Sequence, residues 1–375
     1  MIPSEAFSMS NVPHLYNIVL PDNLKTIGYN AFVNQSLSGS LIIPEGVKEI
    51  GEGAFWGCNN LTGTLSLPST LEIIGKLAFS KCRFTCELLL PQNLKSIGGR
   101  AFCDCKGLYG NLILPEGLLK IEESVFGGCS NLTGDLNIPK NVKEIESMAF
   151  TLCLGLNGRL TLPEGLEYIG SDFCPCRFRA PLILPSTLKS IGSGAFCGNM
   201  FSGELKLPSS LQELGAEAFY LCSRISGTLE IPENITAIKG HTFASCCSIE
   251  KLVLPSTMDA IQSGAFSDCF GLGSIVCNAV NPPYVERSAF NGVSKSNVVV
   301  EVPEASVAAY RTAPGWSDFK KIVAHHELIC SPDSVVALNA SLQKKLVIYA
   351  ESDWEVENAH HGVIWIRLQV LRKPK

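Results

Sequence analysis

The proline that closes each "LP" or "IP" pair falls at positions 21, 44, 68, 91, 115, 139, 163, 185, 208, 232 and 255. The steps between them run from 22 to 24 residues. A unit that short cannot bury an apolar face alone, so its neighbours must supply the other side of the core. The chain is therefore expected to stack rungs along one axis rather than close several separate cores.

The phrase "GAFWGCNNLTGTLSLPSTLEIIG", residues 53–75, shows the unit. Its consensus is L-x-L-P-x-[NGTS]-L-x-x-I-G-x-x-A-F-x-x-C-x-x-L-x-G-x. The L-x-L pair, as in Leu65 and Leu67, alternates with period two and reads as a short strand. Proline suits the strand end, where no ladder donor is needed. Two residues on stands Asn93, Asn141, Asn234, Thr70, Ser210 or an equivalent. Those side chains turn the backbone or bond it locally, in the place where leucine-rich repeats put an asparagine ladder. In "VKEIGEGAFWGC", Val47, Ile50, Ala54, Phe55 and Cys58 are spaced by three and four, which predicts a helical or 3₁₀ turn. The fold class expected is an α/β repeat, a leucine-rich-repeat solenoid of short parallel strands with 22–24-residue repeats and a small C-terminal β-rich appendage.

Phenylalanine recurs at the same phase from Phe7 and Phe32 to Phe290, thirteen times in all. Stacked rungs would make these rings one aromatic spine. Nine of the 16 cysteines sit three residues after that phenylalanine: Cys58, Cys82, Cys105, Cys129, Cys153, Cys176, Cys222, Cys246 and Cys269. At one repeated inward position they read as small buried hydrophobes. Asn199 and Val293 fill the same place, so thiol chemistry is not required there. "CDC" at 103–105 and "CPC" at 174–176 lack the C-x-x-C spacing of zinc sites. Cys174 and Cys197 each follow a phenylalanine in adjacent repeats, near enough neighbours to allow an occasional disulfide.

Charged residues are only 17% of the chain against 46% hydrophobic, and mean hydropathy is +0.21. No window approaches the ~18 consecutive apolar residues of a spanning helix, so no transmembrane segment is expected. A net charge of −5 without any basic run before "RKPK" argues against nucleic acid. Catalytic motifs are absent: there is no G-x-x-x-x-G-K-[ST] loop and no G-x-S-x-G elbow. "HHELIC" at 325–330 carries Cys330 where a zinc-protease helix needs its second histidine. The chain reads as a non-enzyme with no cofactor and no metal. Sequons stand at Asn34, Asn60, Asn131, Asn234 and Asn339, and those at Asn60 and Asn131 recur because the repeat contains "NLTG".

Met1 is followed at once by "IPSEAF", the second half of a unit, with no leader ahead of it. The expectation is an extracellular or cell-surface protein whose signal peptide has been removed. At the other end, the repeat array is expected over 1–296. Residues 297–323, with Tyr310, Trp316 and Phe319, form a C-terminal cap over the last rung's core. Residues 324–375 abandon the repeat for strands such as "KKLVIYAESDWEV", a small β-rich tail.

The phrase "IP..V..IG..AF..C..L" resembles the BspA-like leucine-rich-repeat surface proteins of host-associated bacteria, over about Ile2 to Ile322. "VPEASVAAYRTAPGWSDFKKI" is similar to the usual close of such arrays in gut bacteria. The resemblance implies export to the cell surface and binding of host proteins or other cells, with no catalytic residues to transfer. The L-x-G-x-L form is one residue longer than the family's commonest spacing, which would add a turn between rungs. "SPDSV" and "SDWEV" in the tail resemble the first half of BACON-type immunoglobulin-like modules.

The functional expectation is a binding scaffold whose strand face presents the residue between the two leucines. These are Ile42, Ser66, Leu89, Ile113, Asn137, Thr161, Ile183, Lys206, Glu230 and Val253, with Ser66, Asn137, Thr161, Lys206 and Glu230 as the candidate binding residues. Mixed apolar and polar character without a charge stripe suits host or cell-surface proteins as partners. Carbohydrate is the alternative partner, with Trp56, Tyr109 and Tyr220 as the aromatics that would carry it. A structural spacer within a larger surface protein is the third reading.

Overall fold

In a computed structural model, residues 1–8 and 15–325 are described. Beyond Ala324 and His325, the tail expected over 324–375, its BACON-type likeness and the rest of "HHELIC" lie outside the described residues. Residues Met1–Ala324 form one compact unit.

The rungs stack through two strips of parallel strand. One is made of two-residue strands that end at the isoleucine or leucine before the Gly-rich turn. Thr26–Ile27, Glu49–Ile50, Ile73–Ile74 and Ser96–Ile97 pair in that order. Lys120–Ile121 through Glu213–Leu214 continue it, as do Ala237–Ile238, Ala260–Ile261 and Tyr284–Val285. The other strip is the L-x-L strand itself: Leu41–Ile42 on Leu65–Ser66, then Tyr109–Asn111, Asn131–Asn137 and Leu156–Thr161. It resumes at Ser226–Glu230, Ser248–Leu254, Ser274–Cys277, Val299–Pro303 and Lys321–His325. The extra residue of the L-x-G-x-L rungs adds no turn where the strand is continuous. The strand register shifts in this stretch, between Leu156 and Leu160 and between Gly227 and Thr228.

The second half of the unit is not helical, contrary to its spacing. Around Phe55 the amides of Ala54, Trp56 and Cys58 bond back to Gly51, Gly53 and Phe55, closing tight turns. The alternate amides of Gly53, Phe55 and Gly57 donate instead to Lys76, Ala78 and Ser80 of the next rung. A helix needs every amide for its own i−4 carbonyl, so it cannot also lend half of them to a neighbour. Two left-handed residues make the alternation in most rungs, the Phe173 and Phe290 rungs having one each, Asp172 and Gly292. The pair lies two before and two after the phenylalanine, as in Gly53 and Gly57 or Leu77 and Lys81, with φ between 59° and 75°. The glycine after the short strand has a different role. A Cβ on Gly75 would lie 2.4 Å from the backbone nitrogen of Glu52, so only glycine lets those two rungs approach.

Inside, the phenylalanines form the expected spine. Phe32, Phe55, Phe79, Phe102, Phe126 and Phe150 stack with centroids 5.2–5.7 Å apart and planes within 19°. Phe173, from the rung that is one residue short before it, turns edge-on to Phe150 and Phe196, at 88° and 85°. Full burial of one such ring contributes about 1.5–3 kcal/mol before ordering costs. At the C-terminal end Phe290 meets Trp316 and Phe319 at 6.2 and 5.4 Å. Trp316 Nε1 donates to the Pro283 carbonyl and the Tyr310 hydroxyl to that of Ala279, both at 2.8 Å. Each aromatic thus buries its body while its polar atom is satisfied.

The turn after the proline carries an inter-rung ladder, as its residues suggest. Asn93 Nδ2 donates to the Ser69 carbonyl and Asn234 Nδ2 to that of Ser209. Thr70, Thr187 and Ser210 hydroxyls donate to Val47, Leu166 and Leu188.

The cysteine column does more than fill space. Every one of the nine thiols donates to the phenylalanine carbonyl of the preceding rung, at 3.0–3.5 Å. Gln35 occupies the same place in its rung and donates from Nε2 to the Phe7 carbonyl at 2.6 Å. Asn199 Nδ2 bonds Cys174 and Phe196. In every rung from Phe32 to Phe266 the position thus holds a buried donor, and Val293 in the last rung is the exception. Burial pushes the thiols of Cys58, Cys222 and Cys269 up to about 12. All the described cysteines are free, Cys174 and Cys197 included.

Candidate binding face

Alternation along L-x-L decides which side chains reach solvent. Leu41 and Ile43, Leu88 and Leu90, and Leu112 and Leu114 point into the core, while the residue between each pair stands outside. Stacking then lines these middle residues into one column along the solenoid. The candidate residues Ser66, Asn137, Thr161, Lys206 and Glu230 are all exposed in it, and Val253 is half-buried.

The column is not uniform. Ile42, Leu89, Ile113 and Ile183 remain 66–70% exposed, although each is a large aliphatic side chain. Val19, 96% exposed, precedes them in the same phase and was missed by the strand count. Its signal is "IVLP" at 18–21, which matches "LIIP" at 41–44 residue for residue in pattern. From Val19 to Ile113 only Ser66 interrupts the aliphatics. Beyond, apart from Ile183, polar and charged residues take over, at Asn137, Thr161, Lys206 and Glu230.

Carboxylates border the aliphatic half. Glu87 stands two residues before Leu89; Asp22, Glu45 and Glu116 stand three after Val19, Ile42 and Ile113. All four are exposed. Glu45 accepts bonds from the Ser69 amide and hydroxyl at 3.0 and 3.1 Å, which hold its carboxyl below the usual carboxylate range. None of the four joins an ion pair among the described residues, where every Lys or Arg that pairs does so elsewhere. Two open depressions lie on this face. One is lined by Ile18, Val19, Asp22, Ile42 and Glu45, the other by Glu204, Lys206, Thr228 and Glu230.

The aromatics considered for a sugar platform do not converge. Trp56 and Tyr220 each follow a spine phenylalanine but lie seven rungs apart, and Tyr109 belongs to the other strip. A basic depression of Lys81, Arg83 and Lys106 with Asp104 occupies the turn beyond the cysteine column. Among the described residues no three His, Cys, Asp or Glu side chains gather as a metal site. No helix there is long and apolar enough to cross a membrane.

Six copies of the BspA type leucine rich repeat region match the chain, over residues 1–133, 106–226 and 171–297. The chain belongs to the BspA-type leucine-rich-repeat family. Among solved structures, this BspA-type chain is similar to a leucine-rich repeat protein from Bacteroides ovatus. The two share 25% identity and a TM-score of 0.63 over 87% of this chain and 88% of that one. It is also similar to a leucine-rich repeat protein from Eubacterium ventriosum, at 16% identity and TM-score 0.48 over 75% and 83%. A leucine rich cell surface protein from Faecalibacterium prausnitzii aligns at 17% identity and TM-score 0.38 over 84% and 89%. No curated protein matches the chain.

Proposed function

We propose that this BspA-type chain is a non-enzymatic scaffold, secreted or held at the cell surface, that binds proteins of a host or of neighbouring cells. The observation that carries the reading is the column of exposed aliphatics from Val19 to Ile113 on the strand face. Large apolar side chains aligned in solvent along a rigid spine suit protein contact, and polar residues frame them as a rim frames an interface core. Ser66, Asn137, Thr161, Lys206 and Glu230 continue the face and would set specificity. In this reading residues 1–296 are the array, 297–323 its cap and 324–375 a separate small module.

A binding screen of the whole chain against arrayed host matrix proteins and glycans tests it. Protein hits weakened by Lys206→Glu or Glu230→Lys, or by serine at Ile42 and Leu89, are expected. A glycan hit indifferent to all four changes would move the function off this face. Silence on both arrays would leave a spacer.

A further inference from the structure

We infer that the aliphatic half of the strand face receives a cationic amphipathic helix of a partner protein, lying along the solenoid axis. The inference rests on the protein-binding reading above and specifies its partner.

Charge comes first. Across the five rungs from Val19 to Ile113, three columns flank the stripe most closely in sequence: the middle residues, those two before and those three after, with Lys25, Lys48 and Lys95 exposed three residues farther along. The three columns hold four carboxylates, Asp22, Glu45, Glu87 and Glu116, and no Lys or Arg. Farther along, the same columns carry Lys140, Arg159 and Lys206. A stripe of exposed aliphatics with three carboxylates along one border, Glu87 on the other and, among the described residues, no ion pair to any of them is the complement of an apolar face bordered by Lys and Arg.

Spacing then selects the helix. Rungs lie about 4.8 Å apart, so the five middle residues span about 19 Å. A helix laid along them offers one apolar side chain per ~5.4 Å turn, about 22 Å over four turns. An extended strand offers one per ~6.7 Å on a face, about 27 Å over the same count. The helix therefore drifts out of step by about 2–3 Å, roughly half a rung, and the strand by about 8 Å, more than a whole rung. A helix about 10–12 Å across also fits between the border columns, from which its basic side chains reach the carboxylates. The short Ser66 between Ile42 and Leu89 leaves a dip for one larger side chain of the partner.

The test is a titration of the whole chain with a labelled 14-residue helix of leucine and lysine, followed by fluorescence anisotropy. Two controls accompany it: the same helix with glutamate for lysine, and a leucine–lysine peptide of equal composition with no apolar face. The lysine helix is expected to bind, and both controls at least about tenfold more weakly. Combining Ile42→Ser, Leu89→Ser and Ile113→Ser is expected to weaken it by about tenfold or more, as is Glu87→Lys with Glu116→Lys. Ser66 shows that this position accepts serine, and the charge reversals change only exposed side chains. Arg224→Glu should leave affinity within about twofold, since that exposed side chain lies outside the binding face. Equal binding of either control peptide, indifference to both sets of changes, or no binding would overturn the inference. If array partners of the preceding section are lost on the serine triple while the helix fails to bind, the helix falls and the protein-binding face stands. If neither binds, both fall.

Discussion

The thiol of Cys129 donates a hydrogen bond to the carbonyl oxygen of Phe102, one rung earlier, at 3.1 Å. That oxygen already accepts the Cys105 amide of its own turn at 3.1 Å, so the thiol fills its second lone pair. The contact ties the spine to the turn beside it and recurs along the array. Cys129→Ser keeps a donor in nearly the same volume, whereas Cys129→Ala removes it. Serine should be the more stable of the two by about 0.5–1 kcal/mol, read as a higher thermal midpoint. The reverse order would make the position a simple apolar filler.

The same thiols set an alkaline limit. In Cys58, Cys222 and Cys269 burial raises the group from 9.0 to about 12, because the anion has no water in the core. The folded state binds the proton more tightly than the unfolded one. Their contribution is therefore complete below pH 9 and is lost as pH rises toward 12, at about 1.4 kcal/mol per pH unit for each thiol. A thermal midpoint that is flat to pH 9 and then falls is expected, with a shallower fall in Cys222→Ser. At pH 8, a maleimide should label half-buried Cys103, Cys197 and Cys247 and leave the column untouched until denaturant is added.

Phe126 touches Phe102 and Phe150 at 5.6 and 5.5 Å and is fully buried. Phe126→Ala should cost about 3–5 kcal/mol. Because a rung is stabilised by its neighbours, the loss should appear as a local rise in amide exchange from the Phe102 rung to the Phe150 rung. Uniform loss of protection from end to end would contradict the nearest-neighbour account.

Leu221 holds φ 62° with its side chain 47% exposed, and its amide serves Ala244 of the next rung. Gly57, Gly128 and Gly198 hold the equivalent place. A left-handed leucine costs about 1–2 kcal/mol, and glycine removes that strain for about 0.5–1 kcal/mol of extra unfolded-chain freedom. Leu221→Gly should raise the thermal midpoint, and Leu221→Val should lower it.

The period, the strand and the aromatic spine were legible because each recurs in one phase and each is an apolar position. The turn was misread for a reason internal to the pattern. Val47, Ile50, Ala54 and Phe55 fall on helical spacing, yet residues two before and two after the phenylalanine include Gly53 and Gly57, Asn30 and Asn34, Asp104 and Asp268. Those are the types that tolerate left-handed backbone, and two per unit exclude a helix. The donor role of the cysteine column was written at Gln35 and Asn199, where amides replace thiols. On the strand face, alternation placed Ser66, Asn137, Thr161, Lys206 and Glu230 in solvent. It could not bring Asp22, Glu45, Glu87 and Glu116 beside the aliphatics, because that neighbourhood exists only across rungs.

The sharing of alternate amides between one rung and the next has a mechanical consequence. Every such bond in the Phe55 turn crosses from one coil to the following one, so a pull on the chain ends loads the coils in sequence, like a zip. Each coil that gives way frees 22–24 residues, a contour gain of about 75–85 Å. Stretched between two anchored points, such a chain would lengthen in even steps, each taking up part of the load before the next coil yields.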